Sequence, residues 1–155
     1  MPAGRAAIIH YDHRMPCRSL IVCCALLAAG PAAAVEWLTV TGDKSDPQVD
    51  TTQLDVSTYK RRSPGATMLR FRVNLAQPRK MGGNEVYQSY ISNIVVDCGS
   101  ASIFHENQLR YRDPLWEGPS TAETFVQPKP MAFGGLSNGP RDKILKMVCQ
   151  PRAGH

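Results

Sequence analysis

Two cysteines limit most strongly how this chain can fold. Of its five cysteines, Cys17, Cys23 and Cys24 fall in an N-terminal stretch that reads as a leader, leaving Cys98 and Cys149. In an exported domain an even count favours a disulfide over free thiols. Cys98 and Cys149 are therefore expected to be joined, tying the end of a long strand to a C-terminal helix. A loop of that span contributes roughly 4 kcal/mol in the chain-entropy picture. A metal site would need several ligands at suitable spacing, and neither cysteine has a close partner in sequence. A nucleophile would need a base, and nothing in the sequence places His105 or His155 beside a cysteine.

The leader is expected to span residues 1–34. Arg18 precedes the apolar run Leu20-Ile21-Val22-Cys23-Cys24-Ala25-Leu26-Leu27-Ala28-Ala29, then Gly30-Pro31 and Ala32-Ala33-Ala34. A basic start, a short apolar centre and a small-x-small end make a secretory signal peptide. Cleavage is expected between Ala34 and Val35, leaving residues 35–155 as one small domain. The proportions of the signal point to Met15 as the true start. The run is too short for a stable membrane span. Val22 before Cys23, and Cys23 before Cys24, are poor residues for a lipidation signal. His10, His13, Cys17 and Cys23 lie in the leader with poor metal spacing. No metal and no cofactor are expected.

The formal charge is +5, and falls to +3 once Arg5, Arg14, Arg18 and Asp12 leave with the leader. The basic residues are scattered, with Arg61-Arg62 (preceded by Lys60) and Arg79-Lys80 as the only adjacent groups in the domain. A nucleic-acid reader would carry a denser stripe with interleaved aromatics, so no nucleic-acid partner is expected.

Periodicity supplies most of the architecture. Trp37, Thr39 and Thr41 alternate with Leu38 and Val40, a first strand. Residues 42–47 read as a turn, 48–50 as a short strand and 51–54 as a corner. Residues 56–62 form a further strand, closed by Ser63-Pro64-Gly65-Ala66. Leu69, Phe71, Val73 and Leu75 then face one way, and Met68, Arg70, Arg72 and Asn74 the other. That alternation predicts an antiparallel strand with one wet face and Arg70 and Arg72 in solvent. Residues 77–84 read as loop, 86–98 as a long strand covered on both sides, and 101–112 as a strand bulged near Glu106-Asn107. Residues 123–127 are the last strand, and 128–135 cross to a helix. Pro140 starts that helix, with Ser137, Asn138 or Gly139 as cap. Leu145, Val148 and Cys149 share its apolar face, with Ile144 at the edge.

Several features lie in a familiar order. Glu36-Trp37-Leu38 follows the signal, and Val49-Asp50-Thr51-Thr52 comes after it. A strand ending Val96-Asp97-Cys98, a strand with Tyr111 and a helix ending Val148-Cys149 complete the series. In this the chain resembles the bacterial surface-adhesin protein E-like family across nearly all of residues 36–150. The resemblance implies an α+β fold, an antiparallel sheet of about six strands with a helix packed on it. It also implies a role in the bacterial envelope, and adhesion in its best-known branch.

The expected function is therefore a non-catalytic binding module of the cell envelope, exported to the periplasm or beyond. Its partners would be host extracellular-matrix proteins or envelope proteins. The loops carrying Arg61, Arg62, Arg79 and Lys80 are the candidate contacts, since they lack core duties. The alternative is a periplasmic structural or inhibitor-like factor, and a small secreted enzyme comes third. Asp97 beside Cys98 and His105 beside Glu106 do not make catalytic pairs, because adjacent strand residues point to opposite faces.

Overall fold

The alternation around Phe71 builds the centre of the molecule. In the computed structural model, which describes residues 35–81 and 85–150, Leu69, Phe71, Val73 and Leu75 are all at most 2% exposed. The expected signal peptide through Ala34, including its cleavage bond, lies outside the described residues, as do Gly82, Gly83, Asn84 and Pro151. Six strands form one sheet: β1 (Trp37–Thr41), β2 (Thr51–Ser63), β3 (Ala66–Lys80), β4 (Val86–Asp97), β5 (Ser102–Tyr111) and β6 (Ser120–Pro130). They lie in sequential order and every neighbouring pair is antiparallel. Among the described residues one α-helix, α1 (Pro140–Cys149), follows. The fold is the α+β sheet-and-helix arrangement expected from the sequence, closed by a Cys98–Cys149 disulfide with Cα atoms 5.4 Å apart.

One face of the sheet carries the apolar core. Leu54, the β3 residues, Tyr90, Ile94, Val96 and Ile103 meet Ile144 and Val148 of α1 and Met131 of the crossing segment. The centre of the helical stripe differs from expectation. Pro140, Ile144 and Val148 are the buried residues, an i, i+4, i+8 row. Leu145 and Cys149 flank that row, so the disulfide fastens the rim of the apolar stripe. Gly139 takes the cap position in a left-handed conformation (φ 57°) and Pro140 is the first helical residue.

Three boundaries depart from the sequence reading. Residues 48–50 are not a strand, and the expected corner at 51–54 is the start of β2. Thr51, Thr52, Gln53, Leu54 and Asp55 are all buried, because β2 is covered on both faces. Strand β3 runs on to Lys80, through Pro78. Pairing jumps from Asn74↔Ser89 to Arg79↔Tyr87, so Pro78 sits in an irregular stretch where no ladder bond needs its missing N–H. Strand β6 likewise includes Pro128 and Pro130, tolerated on an edge strand with an irregular register. The expected bulge in β5 is present, since Ile91↔Leu109 is followed by Ile94↔His105.

Candidate binding surfaces

A bulge in β2 sets up the first surface. Asp55 pairs with Arg70, but the next pair is Lys60 with Met68, so β2 carries extra residues between. Asp55 Oδ1 accepts from the Ser57 amide at 3.1 Å and its hydroxyl at 2.5 Å. The Thr58 hydroxyl donates to Asp55 O at 2.8 Å and accepts from the Arg70 amide at 2.8 Å. These local bonds replace the missing ladder and bend the end of β2. Tyr59 then reaches α1, its hydroxyl donating to Val148 O at 3.2 Å. That carbonyl is among the last four of the helix, which have no partner inside it.

Three distant segments converge there. The hairpin turn at Gly65 (φ 82°) accepts a backbone bond from Cys98 at 2.8 Å, and Cys98 is bonded to Cys149. A groove of about 520 Å³ lies between them, walled by Tyr59, Arg61, Thr67, the disulfide and Gln150. Asp97 is not free to act on Cys98. Its carboxylate accepts from Ser100 Oγ at 2.8 Å and Gly99 N at 2.9 Å. The bonds to Ser100 and Gly99 hold its pKa below the usual carboxylate value.

The second surface is the face of the sheet opposite α1. It is not the wet face expected from the alternation of β3. Arg72 lies between two indoles, its guanidinium carbon 4.1 Å from the Trp37 ring centroid and 3.7 Å from that of Trp116. Its Nε donates to Gln53 Oε1 at 2.7 Å, and Gln53 Nε2 donates to Thr39 Oγ1 at 2.9 Å. Burial lowers the Arg72 pKa to about 10, with the charge of Asp55 opposing, so it stays cationic at neutral pH. Arg70 is the more peripheral of the two arginines, 5.8 Å from Trp37.

The loop that delivers Trp116 is held by two buried polar side chains. Leu115 and Trp116 both adopt positive φ (56° and 65°), which costs a non-glycine residue about 1–3 kcal/mol each. Asn74 Oδ1 accepts from Leu115 N at 2.8 Å, while Asn74 Nδ2 donates to Val49 O at 3.0 Å and Pro47 O at 3.2 Å. Ser89 Oγ donates to Asp113 O at 2.7 Å and accepts from Trp116 N at 2.9 Å. Asn74 and Ser89 are fully buried, so these bonds stand in for water and fix the loop.

One serine–histidine contact invites a chemical reading. Ser92 Oγ lies 2.8 Å from His105 Nδ1. The same oxygen is 2.5 Å from Asn107 O, the shortest of its contacts to carbonyls. The single hydroxyl proton is therefore committed to Asn107 O, and His105 Nδ1–H donates to the serine. Ser92 is 1% exposed, and this arrangement secures a bulge. Among the described residues, no three His, Cys, Asp or Glu side chains are grouped to hold a metal ion.

The surface-adhesin protein E family matches this sequence over residues 37–150. The chain belongs to that family. Its membership makes it a surface-adhesin-like protein. Two solved relatives are both protein E of Haemophilus influenzae. The structure from a non-typeable strain is 10% identical, with 77% of this chain and 80% of that chain covered and a TM-score of 0.47. A second crystal form is 11% identical, with 63% and 79% covered and a TM-score of 0.42. No curated protein matches the sequence. Among the described residues, no helix is long and apolar enough to cross a membrane.

The basic residues of this protein E-family chain do not gather into one patch. Arg61 and Arg62 sit on β2 at the hairpin, and Arg79 and Lys80 end β3 at the far end of the sheet. Arg62 is ion-paired with Glu106 on β5. Arg79 donates to Gly135 O at 2.7 Å and Gly134 O at 3.3 Å, bracing the segment that crosses to α1. Arg61 borders the groove at the disulfide, and Lys80 is exposed. The groove and the tryptophan–arginine stack could not be read from sequence spacing, because each unites segments far apart in the chain.

Proposed function

We propose that this chain is an exported bacterial envelope protein acting as a non-catalytic binding module. The observation that carries the reading is the adhesin-family match across residues 37–150. The signal-like leader supports export, and membership of an adhesin family speaks for binding over catalysis. The partner class is an extracellular-matrix protein of a host, met through the hairpin end of the sheet. There a disulfide-anchored groove stands beside Arg61, which, unlike Arg62, makes no ion pair among the described residues. Loops on a rigid sheet are where such contacts concentrate.

The test is capture by the exported protein on immobilised, purified matrix proteins, run beside capture from envelope extract. Saturable binding to a matrix protein is expected. Binding to an envelope component alone would replace this reading with a periplasmic structural or inhibitor-like role.

A further inference from the structure

A cavity of about 230 Å³ opens where the ends of β3, β4, β5 and β6 meet, lined by Arg79, Tyr87, Tyr90, His105, Gln108 and Lys129. Its charge is one-sided. Arg79 and Lys129 are both cationic; Arg79 also feels the charge of Asp50 and donates to Gly134 O and Gly135 O, while among the described residues no carboxylate is ion-paired with Lys129. The neighbouring carboxylates, Glu85 and Glu123, are committed to Arg110 at 3.5 and 2.7 Å. Lys129 rests 5.2 Å from the Phe125 ring centroid.

Two largely buried residues, Tyr90 and His105, line this space, each with a polar atom that has no protein partner among the described residues and stays open to solvent. Tyr90 is 6% exposed, and no hydrogen bond reaches its hydroxyl. Burial raises its pKa, so the phenol stays a neutral donor. His105 is 7% exposed, and its Nδ1 is occupied by Ser92. Since Ser92 sends its own proton to Asn107 O, His105 carries its proton on Nδ1 and leaves Nε2 bare. A bare nitrogen repels an oxyanion, whereas a protonated one would bind it. Burial and then the Lys129 charge lower the His105 pKa to about 4. An anion beside Lys129 would offset that second effect.

We propose that this cavity binds a small oxyanion group, held by Lys129 and Arg79 with Tyr90 as donor, and that binding adds a proton to His105 Nε2. The groups facing the imidazole fit this linkage. They are Arg79 from β3, Tyr87, Tyr90 and Ser92 from β4, Gln108 from β5, and Lys129 with Phe125 from β6. None is an uncompensated acid that would protonate His105 unaided. The inference goes beyond the binding-module reading and does not depend on which macromolecule that module meets. The oxyanion is either free in solution or a sulfate or phosphate group carried on a larger ligand.

The experiment is an NMR titration of the His105 ring in the exported protein, with inorganic sulfate added at constant ionic strength. Sulfate keeps its charge across the range used. Saturating sulfate is expected to raise the His105 pKa by about two units, so that affinity is about tenfold higher near pH 5 than near pH 7.5. Lys129→Gln should abolish the sulfate-dependent shift, and Lys80→Gln should retain it. Tyr90→Phe keeps the ring and its packing, and should weaken binding several-fold. A sulfated oligosaccharide forms the second arm. Tighter binding than free sulfate with the same Lys129 dependence supports a carried group, and equal binding supports the free ion. A His105 pKa indifferent to both probes, or an equal shift in Lys129→Gln, overturns the proposal.

Discussion

The hydroxyl of Tyr59 and the carbonyl of Val148, 89 residues apart, are joined by a hydrogen bond of 3.2 Å. It lies beside the Cys98–Cys149 disulfide, so covalent and polar links hold the same helix end. An isolated helix of ten residues is unstable in water, and α1 depends on such attachments. Replacing both cysteines by serine is expected to lower stability by about 2–5 kcal/mol. Hydrogen exchange should report the loss first at the C-terminal amides of α1. Tyr59→Phe should cost about 1 kcal/mol and speed exchange at the same place. Uniform loss of protection across the sheet would contradict this ordering.

Arg72 between Trp37 and Trp116 gives a second expectation. Arg72→Ala removes two cation–π contacts and the bond to Gln53, and should destabilise by about 2–3 kcal/mol in denaturant unfolding. Arg72→Lys should recover only a minor part, because an ammonium cannot stack flat between two indoles. Full recovery by lysine would reduce the site to a charge effect.

Asn74 anchors the loop that places the second of those indoles. Asn74→Ala strands Leu115 N and releases Pro47 O and Val49 O, at a cost of about 2–3 kcal/mol. Tryptophan emission should shift to the red as Trp116 gains solvent. An unchanged spectrum would mean that the loop is held by Ser89 alone.

These two sites lie beyond what the sequence made legible. Leu69, Phe71, Val73 and Leu75 announce their strand by strict alternation, and Pro140 announces its helix. The disulfide follows from two remaining cysteines in a chain read as exported. What escaped was polar burial. Thr51, Thr52 and Gln53 look like corner composition, yet they are buried in β2. Arg72 looks like solvent-facing charge because its partner Trp116 sits in a loop without periodicity. Pro78 and Pro128 argued for loops, but each falls where the ladder is already irregular.

His105 makes stability depend on pH. Burial first, and Lys129 second, hold its folded pKa at about 4, below the ordinary 6.5. The unfolded chain therefore takes up a proton that the folded chain refuses. Stability contributed by the neutral ring is full above about pH 6.5 and is lost as pH falls towards about 4, by about 3 kcal/mol in all. His105→Asn should flatten that part of the stability–pH curve, measured by denaturant unfolding at matched ionic strength. An equal slope in wild type and variant would assign the acid sensitivity to carboxylates.

The central claim is that the protein binds a matrix partner through the hairpin end of its sheet. Surface plasmon resonance on purified matrix proteins, comparing wild type with Arg61→Glu and Lys80→Glu, tests it most directly. Arg61→Glu should weaken binding about tenfold or more at low salt, chiefly in the association rate, with the fold unchanged by circular dichroism. Lys80→Glu, at the opposite end of β3, should bind as wild type does. Binding indifferent to Arg61→Glu but lost in Lys80→Glu would move the contact to the far end of the sheet, and no binding by the wild type to any matrix protein would contradict the claim outright.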